Sequence, residues 1–201
     1  TGELEGQINT PKGLRRFEKV LVIGLGQLGL PVAKYLTERG FETYGYDINN
    51  TAMERAEKVA SVRKVTKLSE IDVFIICVST HRPEDTFSPQ VDGLLSIVKE
   101  ISKEAKSGAL VSIESTIPRG TSKKVFEMLN HRLHVVHVPH RWYALEEMEH
   151  GVNQMRVIGG VCDCCLKNGM QFYGYPSNAI ENVIMNSKEG SSNSIILHSS
   201  T

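Results

Sequence analysis

The 201-residue chain carries Lys+Arg 23 against Asp+Glu 23, a formal net charge of zero, with 40% hydrophobic and 23% charged residues. This balance excludes disordered and fibrous classes, and without a basic excess no nucleic-acid partner is expected. No apolar run approaches the ~20 residues of a membrane-spanning helix, so a membrane partner is not expected either.

Residues 1–18 are polar and read as an N-terminal extension, not a secretory signal. The opening residue is Thr1 rather than Met, as in a piece of a longer protein. Residues 19–160 then alternate between strand and helix signals. Lys19–Ile23 is a short β-branched run that ends at glycine, the pattern of a buried parallel strand. From Leu28 the apolar positions Leu28, Val32, Tyr35 and Leu36 share a helical face, and Gly40 is the expected stop. Phe41–Tyr46 reads as a strand ending at Asp47, Thr51–Ala60 as a helix and Asp72–Val78 as a second buried strand. Val91, Leu94, Leu95, Val98 and Ile101 carry helical spacing. Ala109–Ile113 follows as strand, Ser122–Leu129 as helix, Leu133–Val138 as strand and Arg156–Ile158 as a short strand. Residues 161–201 form a C-terminal segment: Cys162–Tyr173 reads as a helix, and the Ser/Asn-rich tail holds one apolar run, Ile195–Leu197. The alternation predicts an α/β fold, a doubly wound parallel sheet with helices on both faces.

The main chemical signal is G-L-G-Q-L-G, Gly24 to Gly29, between the first strand and the first helix. Gly24 suits the tight turn, Gly26 lets backbone approach a pyrophosphate, and Gly29 permits close helix–strand packing. The backbone N–H groups around Gln27, Leu28 and Gly29 open the helix and present its positive end to phosphate. Asp47 stands 18 residues beyond Gly29 at the end of the next strand. A carboxylate there accepts ribose hydroxyls and repels a 2′-phosphate, and no Arg follows it. The expected cofactor is therefore NAD rather than NADP. A glycine turn beside an ordinary Asp-Ile-Asn helix cap is the structural alternative.

Three further strings extend the motif: I-C-V-S-T (Ile76–Thr80), G-A-L-V-S-I-E-S-T-I-P-R-G-T (Gly108–Thr121) and R-V-I-G-G (Arg156–Gly160). Together with V-I-G-L-G-Q-L-G-L-P, the chain from Val20 to Gly160 resembles the UDP-glucose/GDP-mannose dehydrogenase family. The V-P-H-R-W of Val138–Trp142 resembles its UDP-N-acetylmannosamine/UDP-N-acetylglucosamine dehydrogenase branch. The resemblance implies a Rossmann-type NAD-binding domain and oxidation of a nucleotide-sugar alcohol to a carboxylate in two NAD-dependent steps. It implies that Thr80, with Ser79, lies beside the cofactor phosphates. Thr116, with Ser115, would lie near the nicotinamide. A nucleotide-sugar substrate and a homodimer are the partners it implies.

The chain also departs from the family pattern. His140 stands where the family has a catalytic Glu, and a His exchanges protons without supplying that negative charge. The glycine-flanked Cys and the Lys that complete the family's chemistry have no counterpart, and the stretch from Asp47 to Ile71 is short. The catalytic candidates are Thr116 and His140, in a chain expected to be incomplete as a catalyst. A non-catalytic NAD-binding sensor or partner subunit is one alternative, and a small β-hydroxyacid-type dehydrogenase another.

No metal site is expected. His131, His134, His137 and His140 recur at a spacing of three, which alternates faces on a strand. The cysteines Cys162, Cys164 and Cys165 lack a second ligand pair at finger-like spacing and read as packing thiols. Cys77 reads as inert packing in a core strand, Glu146–Glu149 as a solvated helix face, and Trp142 and Tyr143 as sheet-edge aromatics. Four clustered cysteines do not make a disulfide framework, which points to a cytoplasmic, reducing compartment.

Overall fold

The computed structural model describes residues 16–80, 90–139, 157–173 and 194–196. The chain runs β1 (Lys19–Ile23), α1 (Gly29–Glu38), β2 (Glu42–Tyr46), α2 (Asn50–Ala60), β3 (Arg63–Lys64) and a 3-10 turn (Leu68–Glu70). It continues through β4 (Val73–Ile76), α3 (Asp92–Glu104), β5 (Leu110–Ile113), α4 (Thr121–Met128) and β6 (His134–His137). Last come β7 (Val157–Gly160), α5 (Asp163–Phe172) and β8 (Ser194–Ile196). The strands form a single eight-stranded sheet in the order β3-β2-β1-β4-β5-β6-β7-β8.

The first six strands pair in parallel, as the alternating pattern predicts. The expected parallel sheet ends at β6, however: β7 pairs with β6, and β8 with β7, in antiparallel register. Antiparallel edge strands on an otherwise parallel sheet are common in doubly wound folds. The order reverses between β1 and β4, which opens a crevice at the carboxyl ends of the central strands.

Each face of the sheet has its own apolar layer. Val20, Val22, Val73 and Ile75 meet α1 and α2 through Val32, Ala33, Leu36, Met53 and Ala56 on one side. On the other, Leu21, Phe74, Ile76 and Val111 meet α3 and α4 through Leu94, Val98, Ile101 and Val125. Parallel strands covered on both faces need continuous apolar runs, and β4 (V-F-I-I) is buried at all four positions. At the opposite edge from the glycine loop, the Asp72 carboxylate accepts the backbone N–H groups of Glu18 and Lys19, both at 2.8 Å, and pairs with Lys106. This fixes the start of β1 against β4.

The helix α5 joins the first layer: Leu166, Met170 and Phe172 pack with Val136 and Ile158. Gly160 makes that approach fit, because a Cβ there would lie 2.6 Å from the Leu166 nitrogen and 2.7 Å from its Cβ. The second glycine of the R-V-I-G-G string is therefore a steric requirement of the β7–α5 crossing. Gly160→Ala must push α5 outward. The expected loss is about 1–3 kcal/mol, the usual range for overpacking, read as a lower urea midpoint. An unchanged midpoint would show that α5 is not held this closely.

Candidate cofactor site

The carboxyl ends of β1, β2, β4 and β5 converge, and backbone hydrogen bonds join the loops that leave them. Gly24 N–H donates to Tyr46 O at 2.9 Å, Cys77 N–H to Ile23 O at 2.7 Å and Glu114 N–H to Ile76 O at 2.9 Å. Gly24 has a φ of +89°, and a Cβ there would lie 2.6 Å from the Cys77 carbonyl oxygen. A Cβ at Gly29 would overlap the Gly24 carbonyl oxygen. Both glycines are thus demanded by the protein's own packing. Gly26 differs: among the described residues a Cβ there would meet nothing within 4 Å. The space in front of its backbone is open.

Behind this opening begins α1. Leu28 takes the N-cap position without a side-chain cap, and the first turn holds no acidic residue. Gln27 is exposed and Leu28 half-buried. Among the described residues no side chain caps the amino end of α1, so its positive end faces the opening.

Asp47 is half-buried at the end of β2. Its Oδ2 accepts the Leu25 N–H at 2.7 Å and its Oδ1 the Asn49 N–H at 2.8 Å. The cap of α2 is Asn49, whose side chain accepts from Thr51 N–H. So Asp47 is not the helix cap; it ties the glycine loop to β2. Each of its oxygens keeps acceptor capacity for a further donor.

The Thr80 and Ser115 hydroxyls are turned inward. Thr80 is 4% and Ser115 2% exposed. Thr80 Oγ1 donates to Thr116 O at 2.8 Å, and Ser115 Oγ lies 2.8 Å from Val78 O and 3.3 Å from Ile76 O. These bonds bind the loop after β4 to the loop after β5. Ser79 and Thr116 are exposed, and among the described residues the Thr116 hydroxyl has no hydrogen-bond partner. His140, the other catalytic candidate, lies outside the described residues, as do Arg156, Trp142, Tyr143 and Glu146–Glu149.

Sequence reasoning missed a buried polar chain beneath these loops. Glu114, the acid of E-S-T, is 1% exposed. Its Oε1 accepts from Tyr173 Oη at 3.2 Å and its Oε2 faces the Cys77 thiol at 3.5 Å. Tyr173 Oη lies 2.8 Å from Ser112 Oγ. Cys77 is thus a partner of a buried carboxylate rather than inert packing. Nothing in the linear pattern links Tyr173, at the end of α5, to β5. Nor did the spacing disclose that His134, Cys164 and Cys165 meet: their ligating atoms lie within 4.8 Å of one another.

His137 closes the wall on the β6 side. Its Nε2 is 3.1 Å from Ser115 O, and since a carbonyl only accepts, this nitrogen carries the proton. Burial pushes the His137 pKa below its ordinary 6.5, and the bond to Ser115 only partly offsets this. The unfolded chain takes up a proton that the folded imidazole resists. This contribution to stability is complete above about pH 6.5 and is lost as pH falls through the folded value. The urea midpoint is expected to drop between pH 7.5 and 5.5, and the drop should shrink in His137→Gln. Equal pH dependence in both proteins would sink the assignment.

An open sheet whose glycine loop, uncapped helix and strand-end carboxylate meet at the strand-order reversal defines a dinucleotide-binding domain. The sequence profile of the UDP-glucose/GDP-mannose dehydrogenase family, NAD binding domain, matches residues 53–175. The chain belongs to that family, and NAD is its cofactor. It is 32% identical over 166 residues to the UDP-N-acetyl-D-mannosamine dehydrogenase of Methanococcus maripaludis, a match covering 72% of this chain and 39% of that relative. Among solved structures, the UDP-D-ManNAc dehydrogenase of Pyrococcus horikoshii superposes with a TM-score of 0.64 at 25% identity, covering 77% of this chain and 44% of the other. The 3-hydroxyisobutyrate dehydrogenase of Mycobacterium tuberculosis superposes at 0.61 with 16% identity, covering 79% and 51%, a likeness of fold alone. The M. maripaludis and P. horikoshii matches agree with the branch that V-P-H-R-W suggests. The chain spans about two-fifths of the length of the M. maripaludis relative. No described helix is long and apolar enough to cross a membrane.

Proposed function

We propose that this chain binds NAD for a nucleotide-sugar 6-dehydrogenase, with a UDP-sugar as substrate. The carrying observation is the contrast among the three glycines. Gly24 and Gly29 are closed off by their own protein, whereas Gly26 fronts open space before an uncapped helix end. Neither packing among the described residues nor φ explains a glycine at position 26, and close approach of a ligand pyrophosphate to the backbone does.

In this reading Gly24, Gly26, Gln27, Leu28 and Gly29 form the pyrophosphate cradle. Asp47 accepts the adenosine ribose hydroxyls with the lone pairs that Leu25 and Asn49 leave over. Ser79 and Thr80 border the phosphates, and Ser115 and Thr116 border the nicotinamide end. Bound NAD supplies the acceptor for a hydride from the sugar alcohol. Thr80 and Ser115, with their hydroxyls committed to backbone carbonyls, act by holding the two loops at a fixed separation. Thr116 offers an exposed hydroxyl to substrate or water, and His140 is the candidate for proton exchange. The family membership and the M. maripaludis relative support the substrate class.

Calorimetric titration tests the cofactor assignment. NAD is expected to bind at least tenfold more tightly than NADP, a difference of about 1.4 kcal/mol. Gly26→Ala should leave the urea midpoint unchanged, since its Cβ enters open space, yet weaken NAD at least tenfold. Equal NAD affinity in wild type and Gly26→Ala would refute the cradle. NADH formation with UDP-sugars reports separately on whether these residues support oxidation.

A further inference from the structure

A second cluster of chemically capable side chains lies away from the glycine loop. His134 opens β6, at the amino end of the sheet, while the cofactor loops leave the carboxyl ends. Antiparallel β7 ends at Gly160, opposite Val136, and returns the chain to this lower edge. Three cysteines follow directly. Cys162 is the N-cap of α5, and Cys164 and Cys165 lie in its first turn. The ring nitrogen of His134 and the sulfurs of Cys164 and Cys165 lie within 4.8 Å of one another. The Cys162 sulfur is 3.3 Å from that of Cys165.

We propose that His134, Cys162, Cys164 and Cys165 form a zinc site that pins the start of α5 to the lower edge of β6. The donor set is three sulfurs and one imidazole, the soft combination that zinc takes in tetrahedral structural centres. With Zn–S near 2.3 Å and Zn–N near 2.0 Å, tetrahedral geometry sets sulfurs about 3.8 Å apart and sulfur and nitrogen about 3.5 Å apart. The Cys162 and Cys165 sulfurs, 3.3 Å apart, need to open by about half an ångström to reach this spacing. Cys162 stands outside the mutual 4.8 Å group and joins it through Cys165, so ligation draws its side chain, together with that of exposed Cys164, towards His134.

Two further observations favour a cation over packed thiols. Val135 N–H donates to Cys165 Sγ and Cys165 N–H to Cys162 Sγ, both at 3.3 Å, the outer-shell support that orients sulfur ligands around a metal. Val135 also lies just past the last β6–β7 ladder pair, Val136 with Gly160, so sulfur rather than a strand takes its N–H. The His134 ring has no hydrogen-bond partner among the described residues. Three thiolates and one imidazole around Zn²⁺ leave a net charge of −1, and the Arg16 guanidinium acts electrostatically on His134 from nearby. Zinc binding replaces the thiol protons by metal–sulfur bonds and releases those protons, with no change of oxidation state. The centre has no open catalytic position in this arrangement; its effect is to staple β6, β7 and α5 together.

Elemental analysis of the untagged protein, purified with thiol reductant and dialysed against a weak chelator, is the first test. About one zinc per chain is expected. Cobalt substitution should give sulfur-to-metal charge transfer and intense tetrahedral d–d bands, and this measurement needs no variant. Cys164→Ser, at an exposed position, should keep the circular dichroism of the wild type and weaken zinc by more than the about 10–100-fold of outer-shell changes. His134→Gln should do the same, whereas Cys77→Ser should retain zinc. Trace zinc, cobalt spectra without thiolate bands, or full zinc retention in both Cys164→Ser and His134→Gln would each overturn the proposal. The NAD titration is independent of these readouts, so either reading can fail alone.

Discussion

The contact on which the rest of the fold depends is the crossing of backbone over backbone at Gly24 and Gly29. There α1 meets the end of β1 so closely that a Cβ at Gly29 would overlap the Gly24 carbonyl oxygen. Gly24 in turn has no room for a side chain against Cys77, which leads out of β4. A glycine pair thus sets the distance between the first helix and the two central strands. With that distance fixed, the amino end of α1 faces the crevice where the strand order reverses. The apolar layers seal both faces of the sheet, but this backbone contact determines where the helix dipole points.

The cofactor loops are organised by the same economy. Asp47 ties Leu25 to the end of β2, Thr80 ties its loop to Thr116, and Ser115 reaches back to Val78. A hydrogen bond to a charged group contributes about 1.5–3 kcal/mol, and one between neutral groups about 1. No single tie is large beside the core, but each removes freedom from a loop that must meet a ligand already formed. Preorganisation of this kind lowers the ordering cost of binding. Residues expected as ligand contacts therefore turn out to have a prior structural task. Asp47 combines the two tasks through its spare lone pairs.

Legibility in the sequence followed burial. β4 is apolar throughout, β1 is apolar after Lys19 and β5 is apolar but for Ser112, and α3 carries its stripe at Leu94, Val98 and Ile101, so each announces itself by pattern alone. The two-residue β3, Arg63–Lys64, is exposed at both positions and shows no apolar signal. The antiparallel turn at β7 was equally hidden, since a short strand before Gly159-Gly160 has the same composition in either direction. At the site, the glycine loop was readable because its spacing is local. The Ser112–Tyr173–Glu114 chain was not, because its members come from β5 and the end of α5, about 60 positions apart. The Cys–His cluster escaped for the same reason. Ligand spacing counted along one segment misses the cluster, because its His134 comes from a neighbouring strand.

The two ends of the sheet therefore differ in kind. At the carboxyl end, loops carry the polar groups, and the fold leaves the space before Gly26 unfilled. At the amino end, Asp72 gathers the entry to β1, and the β7–α5 turn brings sulfur and imidazole together under β6. The connection between the ends runs through α5 itself. Its first turn carries Cys164 and Cys165, its middle and last turn pack Leu166 and Met170 into the core, and Tyr173 just past its end supports Glu114 below the loops. A constraint on the first turn of α5 thus bears on the placement of Tyr173, about ten residues away along a rigid helix. The cluster at the lower edge and the buried carboxylate at the upper one share a single mechanical element.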